Sequence, residues 1–312
     1  MLYEIKKEVF KDYLEFLTDK FELIAPVQQE IVRAKTVQAN DLVVFDQPLY
    51  PAKKFFLPKR EELFLFEDNK IKPDNEKIKT TVLFLNKCDA NAVLRFDKLF
   101  LQDPVDLNYK AHRDNSAIVE IPCGKICENS FCESMNLKDY YDLKIFDNEN
   151  SYLVDVKTEK GKKIFNKKFF KKTGKKIKKV KINSPKTLKL GRIKADNKEI
   201  WEENGKKCLS CSACTIVCPT CTCFELRDEL DLNCQNGIRQ RAWSSCQQLD
   251  FTEVAGGHAF RSARSARVRH RILHKLKYFN DRFGDQMCVG CGRCITVCPT
   301  GIDIAEIGNK LK

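Results

Sequence analysis

Hydrophobic residues in the first half of the chain follow two spacings, and each spacing predicts a different kind of element. Over residues 3–20 apolar side chains recur at helical spacing with charged residues between them, which predicts an amphipathic helix packed on a domain core. The same spacing predicts a second helix over residues 89–101. Short apolar runs bounded by polar residues, Pro, Gly or Asn predict strands at residues 23–25, 42–45, 80–85, 117–121 and 152–156.

The polarity of the chain changes at residues 157–198. Between residues 157 and 181 there are thirteen Lys and one acidic residue, Glu159, a local charge of +12 in a chain whose net charge is +13. Because the basicity is local, composition gives no reason to expect a nucleic-acid partner. Three Phe residues among the lysines suit anchoring of the segment as well as base stacking. We interpret residues 157–198 as a solvated, Lys-rich linker; the alternative is an electrostatic dock for an acidic partner or nucleic acid.

Two cysteine ladders dominate the C-terminal third. Each has the spacing C-x2-C-x2-C-x3-C-P, which is typical of bacterial ferredoxins that bind [4Fe-4S] clusters. In ferredoxins with two clusters, the fourth cysteine of each run ligates the cluster of the other run. We therefore predict two [4Fe-4S] clusters. The first is assigned to Cys208, Cys211, Cys214 and Cys298, and the second to Cys288, Cys291, Cys294 and Cys218.

The 69 residues between the ladders exceed what a minimal two-cluster ferredoxin uses, and we predict them to be helical. Residues 261–271 form an Arg-rich stretch with two possible interpretations. It either forms an exposed basic face without a further role, or it compensates the charge of the clusters or docks a partner. Four further cysteines here are interpreted as small buried hydrophobic residues: Cys221, Cys223, Cys234 and Cys246. The predicted class is α+β, with a mixed α/β domain (1–156), the Lys-rich linker (157–198) and a mostly helical ferredoxin-like domain (199–312).

The last four cysteines lie in the N-terminal half: Cys88, Cys123, Cys127 and Cys132. Three fall within ten residues, and the other stands at the start of a predicted helix after a predicted strand, so all four can converge on one site. We favour a third [4Fe-4S] cluster here, with a zinc ion or four shielded free thiols as alternatives. Because exposed free thiols are reactive, four neighbouring thiols without a bound metal are disfavoured.

The expected compartment of the protein follows from the lack of an apolar leader and of a membrane span in the sequence. The chain opens on a charged amphipathic stretch where a secretory leader would be apolar, and no apolar run reaches the length of a membrane span. We therefore expect a cytoplasmic protein in a reducing compartment, where thiols bind metal instead of pairing as disulfides. Iron–sulfur clusters degrade in oxygen, which favours an anaerobic setting.

These motifs resemble the iron–sulfur electron-transfer subunit of anaerobic, NADH-dependent sulfite reductases, and more distantly the beta subunit of sulfhydrogenases. The likeness covers most of the chain and is strongest around the ladders, at residues 208–224 and 287–299, and at residues 88–92 and 128–135. One departure is Ser130, which stands where the family pattern has Cys. Either Cys127 replaces that ligand, or Ser130 ligates weakly, or the third site is lost.

The resemblance implies an electron-transfer subunit of an oxidoreductase complex, with no catalytic acid, base or nucleophile in this chain. Its implied partners are a flavin subunit that oxidises NADH and a sirohaem subunit that reduces sulfite to sulfide. The leading alternative is the electron-carrying beta subunit of a cytoplasmic NiFe hydrogenase. A remote alternative is an iron–sulfur protein that binds nucleic acid through residues 157–181.

Overall fold

The structure is a computed structural model that describes residues 1–67, 70–73, 78–177, 183–232 and 235–312. Its fold is α+β, as predicted, with a large mixed sheet in the N-terminal half. The strands are β1 (Leu2–Lys6), β2 (Glu22–Val27), β3 (Arg33–Thr36), β4 (Arg60–Glu67), β5 (Lys70–Pro73), β6 (Thr81–Asn86), β7 (Ser116–Ile121), β8 (Leu143–Asn148), β9 (Ser151–Val156), β10 (Lys171–Lys172), β11 (Phe224–Leu230), β12 (Gly237–Trp243), β13 (Glu253–Val254) and β14 (His258–Ala259).

The helices cover the sheet and build the C-terminal third. They are α1 (Lys7–Lys20), α2 (Lys87–Phe100), α3 (Leu107–Asp114), α4 (Glu159–Ile164), α5 (Lys198–Lys207), α6 (Ala213–Ile216), α7 (Arg264–Leu273), α8 (Phe279–Phe283), α9 (Arg293–Thr296) and α10 (Ile304–Lys310). A π-helical segment, His274–Tyr278, joins α7 to α8. Within the described ranges, none of these helices combines the length and the apolar character that a membrane crossing requires.

The large sheet has the strand order β10-β1-β9-β8-β7-β6-β2-β3. Its centre is parallel, from β2 through β6 and β7 to β8, and its flanks are antiparallel. β6 and β7 are buried on both faces, which explains why they appear in the sequence as continuous apolar runs. Helix α1 covers one face through Phe10, Tyr13 and Leu17, and α2 covers the other through Val93 and Phe96.

Most predicted elements of the N-terminal half are confirmed, with two corrections. The strands predicted near residues 24, 83, 119 and 154 are β2, β6, β7 and β9, and the helix predicted over residues 89–101 is α2. The N-terminal helix begins at Lys7 and not at residue 3, because residues 2–6 pair as β1 with β9 and β10. The strand predicted at residues 42–45 is wrong. This stretch makes one bridge, from Val43 to Val27, and Val43 and Phe45 pack against the core from irregular chain.

The segment between the ladders begins with a β-hairpin, which corrects the prediction that this segment is helical. β11 and β12 pair antiparallel, and β12 also pairs with β4 of the N-terminal half. Arg241 on β12 forms a buried ion pair with Glu61, 2.5 Å away, and the Trp243 indole donates to the Leu57 carbonyl at 2.9 Å. The apolar alternation of β11 (Phe224, Leu226 and Leu230) is incomplete, and its side chains are exposed at nearly every position, so the sequence only weakly indicates this hairpin.

The first part of the Lys-rich segment is fixed to the large sheet. Its residues form α4 and β10, and β10 pairs with β1. Phe170 is buried, with its ring centroid 4.6 Å from that of Phe165 and 4.9 Å from that of Tyr13. The aromatic residues therefore anchor the segment, while most of its lysines face solvent. Residues 178–182, which belong to the predicted linker, lie outside the described residues.

Candidate metal centres

The first cysteine-lined cavity lies between the two ladders. Apolar side chains of α7 and of the segment before α10 complete its wall, among them Val268, Ile272 and Ile302. The wall contains the four cysteines predicted for the first cluster, which are Cys208, Cys211, Cys214 and Cys298. The fourth cysteine of one ladder thus stands with the first three of the other, as the predicted crossover requires. The assignment of these four thiols to one cluster stays a prediction.

The second cavity adjoins the first. Its wall contains the other predicted set, namely Cys218, Cys288, Cys291 and Cys294. Cys294 also lines the first cavity, so one residue borders both. Phe131 from the N-terminal half and Ile304 from α10 close the second cavity with apolar surface. Two sites of matching composition therefore stand side by side, joined through a ladder residue.

The ladder turns bring backbone close to the sulfurs. Ser210 and Ser212 in the first ladder, and Gly290 and Gly292 in the second, all have left-handed backbone, with φ between 54° and 76°. The Ser210 and Gly290 amides each donate to the sulfur of the cysteine two positions earlier, at 3.4 Å. Amide donors to sulfur stabilise the charge of a cluster and tune its potential. The shared turn therefore fits the binding of an anionic cube.

Three buried cations lie on the helix beside these cavities, and two of them, Arg271 and Lys275, line the cavity walls. Arg267, Arg271 and Lys275 follow one face of the α7 region at intervals of four residues and are 6%, 8% and 2% exposed. Arg271 borders both cavities and donates to the Cys214 carbonyl at 3.1 Å, while its buried Nε has no hydrogen-bond partner among the described residues. The Lys275 ammonium donates to the Thr220 carbonyl at 2.9 Å. A buried cation is costly without negative charge nearby, so this face of the basic helix compensates charge instead of facing solvent.

The protonation chemistry of the thiols and cations points the same way. Burial lowers the pKa of Arg271, but negative charge on the neighbouring Cys214 and Cys294 holds it above its usual range. Ligation would supply that charge, because a ligating cysteine is a thiolate. Burial raises the pKa of the Cys291 thiol, so without metal this side chain is protonated at neutral pH. Metal ligation requires the thiolate, and loading of this site therefore releases a proton.

The four N-terminal cysteines line a third cavity, at the carboxyl ends of β6 and β7. Cys88 is the second residue of α2, which follows β6 directly, and Cys123 follows β7, so the parallel strands bring both to one sheet edge. Cys127 and Cys132 reach the same cavity from the following loop. Cys291 of the second ladder lines this cavity too. The structure thus brings together the set proposed for a third site and places it against the second ladder.

Ser130 also lines the third cavity, which bears on the departure from the family pattern. Its hydroxyl donates to the Cys127 carbonyl at 2.8 Å, while Cys127 itself lines the same cavity. Gln47 supports the opposite wall, with its amide nitrogen 3.5 Å from the Cys88 sulfur and 3.3 Å from the Cys291 carbonyl. Among the three options for the fourth ligand, this geometry favours Cys127.

No three His, Cys, Asp or Glu side chains in the described ranges converge closely enough to hold a single metal ion. Four thiolates around one zinc ion all lie about 2.3 Å from the same centre. In a cube each thiolate binds a different iron, so the sulfurs stand farther apart. The finding concerns single ions and does not bear on cube-shaped clusters.

Sequence reasoning missed a buried lysine at the edge of this region. Lys53, 6% exposed, donates to the Thr215 carbonyl at 3.1 Å and lies 4.1 Å from the Trp243 ring centroid. Nothing in the sequence distinguishes it from the adjacent Lys54. Of the cysteines expected to be small buried residues, Cys221 and Cys246 are buried and Cys223 is half-buried, whereas Cys234 lies outside the described residues.

Comparison with known proteins agrees with this geometry. Residues 207–302 match a family described as the 4Fe-4S dicluster domain, which confirms the prediction of two [4Fe-4S] clusters. The chain is 30% identical over 332 aligned residues to sulfhydrogenase 2 subunit beta of Pyrococcus furiosus. That alignment covers 99% of this chain and 98% of the relative, so the likeness includes the sheet, the hairpin and both ladders. The chain therefore belongs to the family of sulfhydrogenase beta subunits.

Proposed function

We propose that this chain is the iron–sulfur electron-transfer subunit of a cytoplasmic oxidoreductase complex. The observation that carries the proposal is the row of three cysteine-lined cavities, in which Cys294 borders the first and second and Cys291 borders the second and third. A relay needs closely spaced one-electron centres within one protein body. A row of cavities that share their walls supplies that arrangement.

The proposed ligands are the three sets that the cavities bring together. Cys208, Cys211, Cys214 and Cys298 would hold the first cluster, and Cys218, Cys288, Cys291 and Cys294 the second. Cys88, Cys123, Cys127 and Cys132 would hold a third [4Fe-4S] cluster. When bound, a [4Fe-4S] cluster supplies a carrier of single electrons whose potential depends on charge, hydrogen bonds and solvent exposure.

The residues around the ligands perform the remaining work of a relay. Phe131 and Ile304 exclude water from the second cavity, which keeps the local dielectric low. Arg271 and Lys275 balance the anionic charge, and the Ser210 and Gly290 amides point at sulfur. None of these roles moves a proton or forms a covalent bond. We therefore propose no substrate-converting site in this chain.

The partner that delivers electrons is, in this proposal, a flavin subunit that oxidises NADH. Two catalytic partners are candidates for the other end of the relay. Alignment along almost the whole chain with a sulfhydrogenase beta subunit favours a NiFe hydrogenase subunit. The resemblance of residues 88–92 and 128–135 to the electron-transfer subunit of anaerobic sulfite reductase favours a sirohaem subunit that reduces sulfite.

Isolation of the native complex under anaerobic conditions distinguishes these partners. Nickel in a co-purifying large subunit, with hydrogen-dependent reduction of the clusters, supports the hydrogenase. A sirohaem absorbance band with sulfite-dependent reoxidation supports the sulfite reductase. A chain that purifies without any redox partner, and whose clusters exchange no electrons with NADH-reduced flavoprotein, would contradict an electron-transfer role.

Iron content tests the number of clusters independently. Three cubes require roughly 12 iron atoms per chain and two require roughly 8, since each [4Fe-4S] cluster has four irons. We expect roughly 12 for the anaerobically purified protein and a loss of about 4 on Cys88→Ser. The matched control is Cys246→Ser, a buried cysteine outside the three sets, which should leave the iron content unchanged. A value near 8 that Cys88→Ser does not lower would end the third-cluster proposal.

A further inference from the structure

We propose that the Arg293–Asp89 ion pair holds one positive and one negative charge at fixed positions between the third site and the second cluster, and that these charges affect the potentials of both. We also propose that electrons pass between these two centres by way of Cys291. The second cluster is then the middle station of the relay, with the first cluster and the N-terminal site at its two ends. This inference rests on the proposed third cluster.

The ion pair joins the two cysteine sets at their nearest points. Arg293 lies between Cys291 and Cys294 in the second ladder, and Asp89 directly follows Cys88. Their contact is bidentate, with distances of 2.6 and 2.7 Å between guanidinium nitrogens and carboxylate oxygens. The two side chains are 1% and 4% exposed, so this pair sits in the interior and not at the rim.

The position of Arg293 is fixed by a third contact. Its Nε donates to the Pro48 carbonyl at 2.8 Å, so all the polar contacts of the guanidinium run to the N-terminal half although the residue belongs to the second ladder. A planar guanidinium held at three nitrogens has little freedom to reorient. Its positive charge therefore stays between Cys88 and Cys291, both of which belong to its electrostatic surroundings.

The ladder backbone itself is in contact with the loop of the third site. A Cβ built on Gly290 would lie 2.7 Å from the Phe131 carbonyl carbon, and one on Gly292 would lie 2.5 Å from the Asn129 carbonyl carbon. The Phe131 amide donates to the Gly290 carbonyl at 2.8 Å. The first ladder carries Ser at both equivalent positions. A side chain at either Gly of the second ladder would therefore meet the backbone of residues 129–132, the loop that borders the third site.

The transfer step moves one electron and makes or breaks no bond. A one-electron reductant such as dithionite reduces one end, and the electron then passes from a reduced centre to its oxidised neighbour. Reduction adds negative charge, so a fixed cation beside a centre favours its reduced form and a fixed anion disfavours it. Arg293 and Asp89 must therefore affect the neighbouring potentials in opposite directions.

Redox titration of the complete chain, monitored by electron paramagnetic resonance, tests this inference. Arg293→Gln removes the cation, and we expect about a tenfold smaller equilibrium constant for one-electron reduction, which equals a potential lower by about 59 mV. Asp89→Asn removes the anion and should shift the same two centres upward by a comparable amount. Arg293→Lys, which keeps the charge, should stay near the wild-type potentials. The first cluster should not move in any of the three variants.

Two further variants sharpen the assignment. Arg271→Gln removes a buried cation that borders the first and second cavities, so the one centre moved by both Arg271→Gln and Arg293→Gln identifies the middle station. Arg241→Gln breaks a buried ion pair whose charge partners are Glu61 and Asp106, and it should move no centre.

The outcomes separate this inference from the proposed third cluster. Iron content near 12 with opposite shifts in Arg293→Gln and Asp89→Asn supports both. The inference is overturned if the two variants shift the potentials in the same direction, or if neither shifts them while the iron content is full. If Arg293→Gln does not fold, the upward shift in Asp89→Asn decides alone. A wild-type iron content near 8 would instead refute the third cluster, whatever Arg293 does.

Discussion

Replacement of Gly292 by Ala tests the contact between the second ladder and the N-terminal loop. Gly292 has φ +76°, and a left-handed non-Gly residue costs about 1–2 kcal/mol. The added Cβ would also lie 2.5 Å from the Asn129 carbonyl carbon and 2.8 Å from the Ser130 nitrogen, both of them backbone atoms that cannot rotate away. Overpacking of this kind costs about 1–3 kcal/mol. We therefore expect Gly292→Ala to lower the free energy of unfolding by about 2–5 kcal/mol.

The matched control is Gly284→Ala. Gly284 has nearly the same backbone, φ +71°, but no atom lies within 4 Å of its added Cβ. Its replacement therefore costs only the conformational strain, about 1–2 kcal/mol. Urea unfolding of the cluster-loaded protein under anaerobic conditions, followed by circular dichroism, measures both. Equal losses for the two variants would refute the close approach of the ladder to residues 129–132.

Four other outcomes follow from the structure. Cys298→Ala should remove the first cluster and lower the iron content from roughly 12 to roughly 8 per chain, as measured by iron assay. Phe170→Ala should destabilise the protein by about 3–5 kcal/mol in urea unfolding, because its ring is buried against Tyr13 and Phe165. Burial and the neighbouring Lys275 lower the pKa of His274 to about 4. The stability that the neutral ring contributes is therefore present above pH 6.5 and is lost as the pH falls toward 4. His274→Gln should flatten that part of the curve of stability against pH. Fluorescence anisotropy should detect no binding to nucleic acid at low salt. Binding with a steep salt slope that is lost when the exposed lysines between residues 162 and 176 are replaced by Gln would restore that alternative.

The sequence predicts the chemistry of the ladders better than the fold that surrounds them. The spacing of Cys208 to Cys218 and of Cys288 to Cys298 depends on a local turn, and a local turn is visible in the sequence. The buried strands β6 and β7 are equally visible, because burial on both faces requires continuous apolar runs. The α+β class follows from these signals together.

Long-range pairing explains what the sequence does not show. Strand β12 is half-polar and is held by β4 and by the Arg241–Glu61 pair, residues 180 positions apart. The residues of β1 have a helical apolar spacing, but pairing with β9 overrides it. The buried Arg271 looks like any other arginine of a basic helix until the cavities on either side of it are seen. The division of the chain at residues 156 and 198 stays a prediction.

The two ends of the row differ from its middle in a way that suits a relay. At the first cavity Cys211 is exposed, and Leu209 beside it is 59% exposed. At the third cavity Cys123 is exposed, and Ile126 nearby is 50% exposed. In the second cavity Cys218 and Cys291 are buried and Cys288 and Cys294 are half-buried, so none of its four cysteines is exposed. Exposed apolar side chains and predicted ligand cysteines therefore lie together at the two ends of the row, and we expect partners to approach there. Gly290 and Gly292 of the second ladder belong to the same arrangement, since a side chain at either position would meet the backbone of the loop that borders the third cavity.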